Sequence, residues 1–348
     1  MAHTNRTFLC FNRALSSLLI YTLASGALAS SASTSTITSA PARSLCVFSV
    51  QGTQGELFGQ MRDFAVAAQT QGVRLDPKAF VDERIAAEDF KADQCDAALL
   101  TGIRARAFNP FAGSIDAIGG LPDYDALRTL ISLLTRPELA PRMRQGPYEV
   151  AGIMPLGAAY IFLNDRRINS VEKIAGKRLA VFEHDPAQLT MAQRIGAQPV
   201  SSDVSNFAGK FNNGVVDVIA APAVAYMALE IYRGVGAQGV VVDMPVAQLT
   251  FQLLIRHERF PEGFSHWARH YFLELFDPAL QTVKASENEI LFFFPPPDSD
   301  ASRYQQLLQE SRIALTEAGH YDPHMMRLMK RVRCSRAPDQ AECSDARE

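Results

Sequence analysis

Short apolar runs, each stopped by glycine, proline or a polar pair, alternate along this chain with stretches whose apolar residues recur at helical spacing. Residues 45–50 form a near-continuous apolar run halted by Gln51, Gly52 and Gly55, and 57–68 follows with helical periodicity. Strands are next predicted at 72–75 and 80–81, a short helix at 86–91 and a buried strand at 95–100. Tyr124, Leu127, Leu130, Ile131 and Leu134 share one helical face, so 123–134 reads as an amphipathic helix. Further strands are expected at 148–154 and 161–163, with Pro155-Leu156-Gly157 as the turn between them.

The alternation continues. A short helix over 169–174 ends at Gly176, a strand over 178–182 stops at Glu183-His184-Asp185-Pro186, and helix 187–195 follows. Helix 204–210, strand 214–220 and helix 222–231 repeat the spacing, and 240–242 and 249–255 are expected to return the chain to the first half. Residues 261–275 carry a broad apolar face, 289–294 reads as a strand running into Pro295-Pro296-Pro297, and 304–318 as a helix. Met325, Met326 and Met329 have the spacing of helix packing. This order predicts an α/β fold. At 348 residues the chain exceeds the ~250–300 at which single cores stop growing, so two lobes are expected. Lobe I takes 44–147 and 248–332, lobe II takes 148–247, and 333–348 forms a tail.

The N-terminus changes the charge and compartment arithmetic. Arg6 and Arg13 precede the apolar run 14–29, which closes on Ala27-Leu28-Ala29, the small-x-small pattern of a cleavable signal peptide. The run is shorter than the ~20 apolar residues of a bilayer span. Export to the periplasm with cleavage after Ala29 is the expectation, and the Ser/Thr/Ala/Pro-rich segment 30–43 reads as a flexible lead-in. Loss of the leader shifts the formal net charge from −3 to −5, which gives no positive field for nucleic acid. It also removes Cys10 and leaves Cys46, Cys95, Cys334 and Cys343. Three pairings are possible in an oxidising compartment. Proximity favours Cys334 with Cys343, stapling the tail, and exclusion then joins Cys46 to Cys95. Neither pair has zinc-site spacing, no metal ligand set stands out, and no phosphate loop or nucleophile elbow calls for a cofactor or an enzyme.

Three segments carry a resemblance: Asn169-Ser170-Val171-Glu172-Lys173-Ile174-Ala175-Gly176-Lys177-Arg178, Phe211-Asn212-Asn213-Gly214-Val215-Val216-Asp217-Val218, and 292–304. With the order of the elements they resemble periplasmic solute-binding proteins, in particular the dicarboxylate receptors of TRAP transporters and a less characterised family of solute-binding proteins. The resemblance spans most of 44–332. It implies two α/β lobes joined by hinge crossovers, a small polar or anionic solute between them, and delivery of that solute by a monomer to a membrane transporter. Those receptors usually carry a carboxylate-binding arginine on the strand after the Gly-Lys segment. The matching position here is Ala180, and whether Arg178, two residues earlier, replaces that arginine is left open. The alternative function is a secreted, envelope-associated interaction protein without solute transport.

Loops at strand ends collect backbone N–H groups and short polar side chains, which makes them the candidate solute contacts. In lobe I these are Gln51, Thr53, Arg104, Arg106 and Asn109, the arginines offering a fork for an oxyanion. In lobe II they are Tyr160, His184, Asp185 and Tyr226, with Gln252 on the returning crossover. Adjacent Glu183, His184 and Asp185 do not establish the separated acid and base that catalysis requires.

Overall fold

A computed structural model describes residues 41–348 except 292, 296 and 297, with the backbone alone described at 298–301. The expected leader, and all of the lead-in but its last three residues, lie outside the described residues, as do three residues of the 292–304 segment.

Ten strands form one mixed sheet. In chain order they are β1 (Arg43–Phe48), β2 (Leu75–Phe80), β3 (Ala97–Thr101), β4 (Arg144–Gln145), β5 (Tyr148–Leu163), β6 (Arg178–Phe182), β7 (Gln198–Ser202), β8 (Val218–Pro222), β9 (Val240–Arg256) and β10 (Phe293–Phe294). The sheet order is β2-β1-β3-β9-β5-β8-β6-β7, with β4 on β5 and β10 on β9. The outer groups, β2-β1-β3 and β8-β6-β7, pair in parallel, as right-handed strand–helix–strand units require. The central β5 and β9 run antiparallel to each other and to β8 and β3, while the two-residue β10 pairs with β9 in parallel.

The α/β expectation holds, with corrections at three strands. Residues 72–75 and 80–81 are not two strands: β2 runs unbroken through Pro77, which an edge strand tolerates because one side of its backbone has no ladder partner. Pro155-Leu156-Gly157 is not a turn but a bulge inside the 16-residue β5, with register shifts between Val150 and Gly152, Pro155 and Gly157, and Ala159 and Ile161. Gly157 there has φ of +123°, a conformation that side chains rarely adopt. The expected pair 240–242 and 249–255 is likewise one strand, the 17-residue β9. Of the predicted strand 289–294, Phe293–Phe294 forms β10, residues 289–291 after helix Phe276–Asn288 are not strand, and 292 lies outside the described residues.

Three apolar cores accompany the sheet. The largest draws on β1, β3, β5 up to Met154, β9 from Phe251 and the C-terminal helix Pro323–Arg336, whose Met325, Met326 and Met329 are all buried in it. Beyond the bulge the strands bury both faces: Tyr160, Phe162, Ile219 and Val241 enter a second core, while Leu163, Val181, Val218 and Val240 enter a third. The core therefore changes over at Pro155–Gly157 on β5, and at Ala247 and Leu249 on β9, which join Ala159 in a small cluster of their own. Disulfides link Cys46 to Cys95, and Cys334 to Cys343. The tail is held further by Arg312 and Arg333, which bind Glu342 and Glu348 and donate to Gly119 O and Gly120 O.

Gly152 marks how closely helix Phe264–Glu274 sits on β5, since a Cβ there would collide with the fully buried ring of Phe272. Gly152→Ala is expected to destabilise the protein by about 1–3 kcal/mol and lower Tm in thermal unfolding. An unchanged Tm would mean that this packing is looser than described.

Candidate functional site

A cavity of about 510 Å³ lies over the core changeover, within the ~300–1,000 Å³ range of small-molecule sites. Its floor includes Met154, Pro155, Leu156 and Ala159 of β5 and Val246, Ala247 and Leu249 of β9. One wall is the loop after β1, with Ser49 and Gln51, together with Thr101 and Ile103 at the end of β3. The opposite wall takes Leu179 and Ala180 of β6, Ala220 of β8, and Ala187, Gln188 and Met191 of helix Pro186–Arg194. Leu307 and Leu308 of helix Asp298–Glu317 also contribute.

Charge at the cavity's edge is internally compensated. Asp185 closes β6, and its Oδ1 accepts from Ala187 N, capping the helix that Pro186 starts. The same oxygen accepts from Arg106 Nη1 at 2.9 Å, with both side chains largely shielded from solvent. Arg106 also donates from Nε to Gly113 O at 3.2 Å and lies over the Tyr321 ring, 5.0 Å from its centroid. Asp116 accepts from Thr250 N at 3.1 Å and Thr250 Oγ1 at 2.6 Å, and that hydroxyl in turn accepts from Gln252 Nε2 at 3.1 Å. Burial pushes the Asp116 carboxyl up to about 7, despite the Thr250 hydrogen bonds and the Arg106 charge that pull it down. Burial, reinforced by Arg104 and Arg106, pushes His184 down to about 3, so its ring is neutral at pH 7. His184 stacks on Phe182, and its Nε2 is buried without a hydrogen-bond partner.

Of the ten candidate solute contacts, the cavity wall brings together Gln51 and Asp185. Arg106 stands directly behind Asp185 as its ion-pair partner. Arg104 faces buried Glu83, Nε to Oε2 at 3.5 Å, and neither arginine is among the residues that line the cavity. Thr53 is exposed in a turn. Asn109 is buried as a helix cap, accepting from Ala112 N at 2.8 Å and donating to Arg142 O at 3.1 Å. Tyr160 donates to Glu287 Oε1 at 2.9 Å, beside Tyr124, which binds the same oxygen. Tyr226 stacks on Phe162 in the second core. Gln252 is fully buried and donates to Ala112 O at 2.9 Å. Arg178 is committed to Asp217 by two side-chain hydrogen bonds, from Nε at 3.0 Å and Nη2 at 2.6 Å, while Ala180 lines the cavity together with Leu179, Val181 and Phe182 of the same strand. The sequence reading missed Asp116, Ile161, Leu179, Ala220 and Leu249. The apolar or small side chains among them carry no chemical signature, and Asp116 sits between the predicted strand 95–100 and helix 123–134, where no element is expected.

A family profile described as "Solute-binding protein AdeT 1/2" matches residues 63–348. This chain belongs to that family. It is 39% identical over 300 residues, 86% of this chain and 99% of the relative, to "Probable solute-binding protein AdeT1" of Acinetobacter baumannii. It is 28% identical over 239 residues to "Probable solute-binding protein AdeT2" of the same organism, covering 68% of this chain and all of that one. Among solved structures, the TRAP periplasmic solute-binding protein of Desulfovibrio desulfuricans with bound sn-glycerol-3-phosphate has a TM-score of 0.70 at 14% identity, covering 88% of this chain and 100% of its own. That of Desulfovibrio salexigens with bound orotic acid has 0.69 at 16%, covering 84% and 98%. The fold of this AdeT-family chain is thus the two-lobed fold of periplasmic binding proteins. Among the described residues no helix is long and apolar enough to cross a membrane.

Asp116 gives the site a pH dependence with a definite sign. A carboxyl raised from 3.8 to about 7 by folding favours the native state fully below 3.8, and that advantage is lost as pH rises through 7. Asp116→Asn keeps the acceptor for Thr250 N and removes the titration. The Tm of the variant minus that of the parent protein is expected to be larger at pH 8 than at pH 5, read by calorimetry. An equal difference at both pH values would contradict the buried, raised carboxyl.

Proposed function

We propose that this chain is an extracytoplasmic solute receptor whose two lobes close around one small molecule and present the closed form to a membrane transporter. The observation that carries this reading is the position of the cavity: it lies where β5 and β9 leave one core and enter the next. The expected lobes, 44–147 with 248–332 and 148–247, are kept with one shift: residues 148–154 of β5 pack in the first core, so on that strand the boundary falls at the bulge Pro155–Gly157, where the shared strands can bend. The Arg106–Asp185 pair joins the loop region after β3 to the end of β6 and so spans the two halves.

Family membership and the fold support binding rather than turnover. Residues 1–29 act as the cleaved leader, the chain functions as a monomer, and the tail 333–348 remains clamped by its disulfide in the oxidising periplasm. A ligand shifts such a receptor toward closure only through its unequal affinity for the two states, with ~5.5 kcal/mol needed to invert a 1:99 balance.

Native mass spectrometry of the exported protein, purified without denaturation, tests the reading. A one-to-one adduct of small mass that denaturing spray releases is expected. A protein that is uniformly free of adduct, and that takes up no small molecule from a periplasmic extract, would contradict it.

A further inference from the structure

We infer that the solute is an uncharged lipophile, and that the wall discriminates against carboxylates and phosphates; this rests on the receptor reading above. Among the described residues, none that lines the cavity is Lys, Arg or His, and the charged ones are acidic: Glu56, Asp116 and Asp185. Arg106 lies behind this surface, with its donors turned to Asp185 and Gly113 O and its face on Tyr321. Arg104 is paired to Glu83 and His184 is held neutral by its surroundings. An anion entering the cavity would lose its hydration without meeting a cation in the lining, since Arg106 and Arg104 lie behind it and face Asp185 and Glu83.

The remaining surface favours hydrocarbon. Ile161, Leu179, Ala180, Ala220, Leu249 and Phe251 contribute wall from four strands and both halves of the sheet. Ala220 is exposed although it lies mid-strand on β8 opposite Ile161, so a small side chain keeps space open above the sheet. Burial of apolar surface is the attraction such a wall supplies, and it scales with the area that a molecule of matching volume removes from water. One group of polar side chains in the lining, Ser49, Gln51 and Thr101, lies at the ends of the adjacent parallel strands β1 and β3. That group suits one hydroxyl or carbonyl of an otherwise apolar molecule.

The test uses N-phenyl-1-naphthylamine, an uncharged lipophilic dye, with glucuronate and sn-glycerol-3-phosphate as the anionic arm. The purified chain is expected to bind the dye saturably, with fluorescence enhancement, and to give no calorimetric binding of either acid at millimolar concentration. Ala220→Arg places a cation on the open wall and is expected to weaken dye binding by about tenfold or more, a change of ~1.4 kcal/mol. Val215→Arg, which adds the same charge at an exposed position outside the cavity lining, is expected to leave dye binding unchanged, and Tm checks that both variants fold. Saturable binding of an acid by the unmodified chain, or dye binding indifferent to Ala220→Arg, would overturn the lipophile assignment. The first of these would leave the receptor reading standing, whereas a chain that binds neither dye nor acid and carries no adduct loses both.

Discussion

The pairing of β5 with β9 is the constraint on which the rest of the molecule depends. Both strands run through more than one core, so the two halves share backbone and cannot come apart as separate domains on a linker would. The proposed hinge has to bend within these strands. A bulge interrupts the ladder, increases local twist and leaves a residue unpaired, and one of the three register shifts on β5 falls at Pro155–Gly157. The floor of the cavity coincides with that stretch. The position of the site is thus a consequence of sheet topology: apolar packing fills the space on either side, and the changeover is where it stops.

Electrostatics then determines what the space can hold. Arginine is present at the cavity's edge, yet Arg106 lies behind the lining and already directs Nε to Gly113 O and Nη1 to Asp185. A buried ion pair of this kind contributes little net stability on its own, because the desolvation of both groups offsets their attraction. Removing one partner is a different matter, since it leaves a charge buried without compensation. The pair therefore acts as a geometric constraint between the loop region after β3 and the end of β6. The relatives of known structure show that the same fold can hold anions: glycerol phosphate in one, orotate in another. In this chain the wall residue Ala180 offers no charge, and Arg178 is occupied by Asp217.

Much of the fold was legible because strand and helix periods are local. The run at 45–50 and the helical face from Tyr124 to Leu134 needed no distant partner to be recognised. The failures came where a punctuating residue had a tertiary context. Pro77 reads as a break until its strand is known to be an edge, and Pro155-Leu156-Gly157 reads as a turn until β9 is known to continue past it. The site was legible only as loops at strand ends. That reasoning reached Gln51 and Asp185, but it also raised Gln252, Asn109 and Tyr226, polar or aromatic groups whose partners are other parts of the scaffold. Sequence shows a side chain's chemistry, not whether the protein has already used it. The apolar wall was invisible for the opposite reason: Ala220 and Leu179 look like any core residue until an open space appears beside them.

In the proposed receptor, two halves hinge on β5 and β9 and the Arg106–Asp185 pair draws them together. Pulsed electron resonance between nitroxides at Val66→Cys and Val215→Cys, both exposed and in opposite halves, measures their separation directly. Asp185→Asn keeps the helix cap while removing the charge that Arg106 binds. The account predicts a longer or broader distance distribution for that variant than for the otherwise identical labelled protein. Superimposable distributions in the two proteins would contradict it.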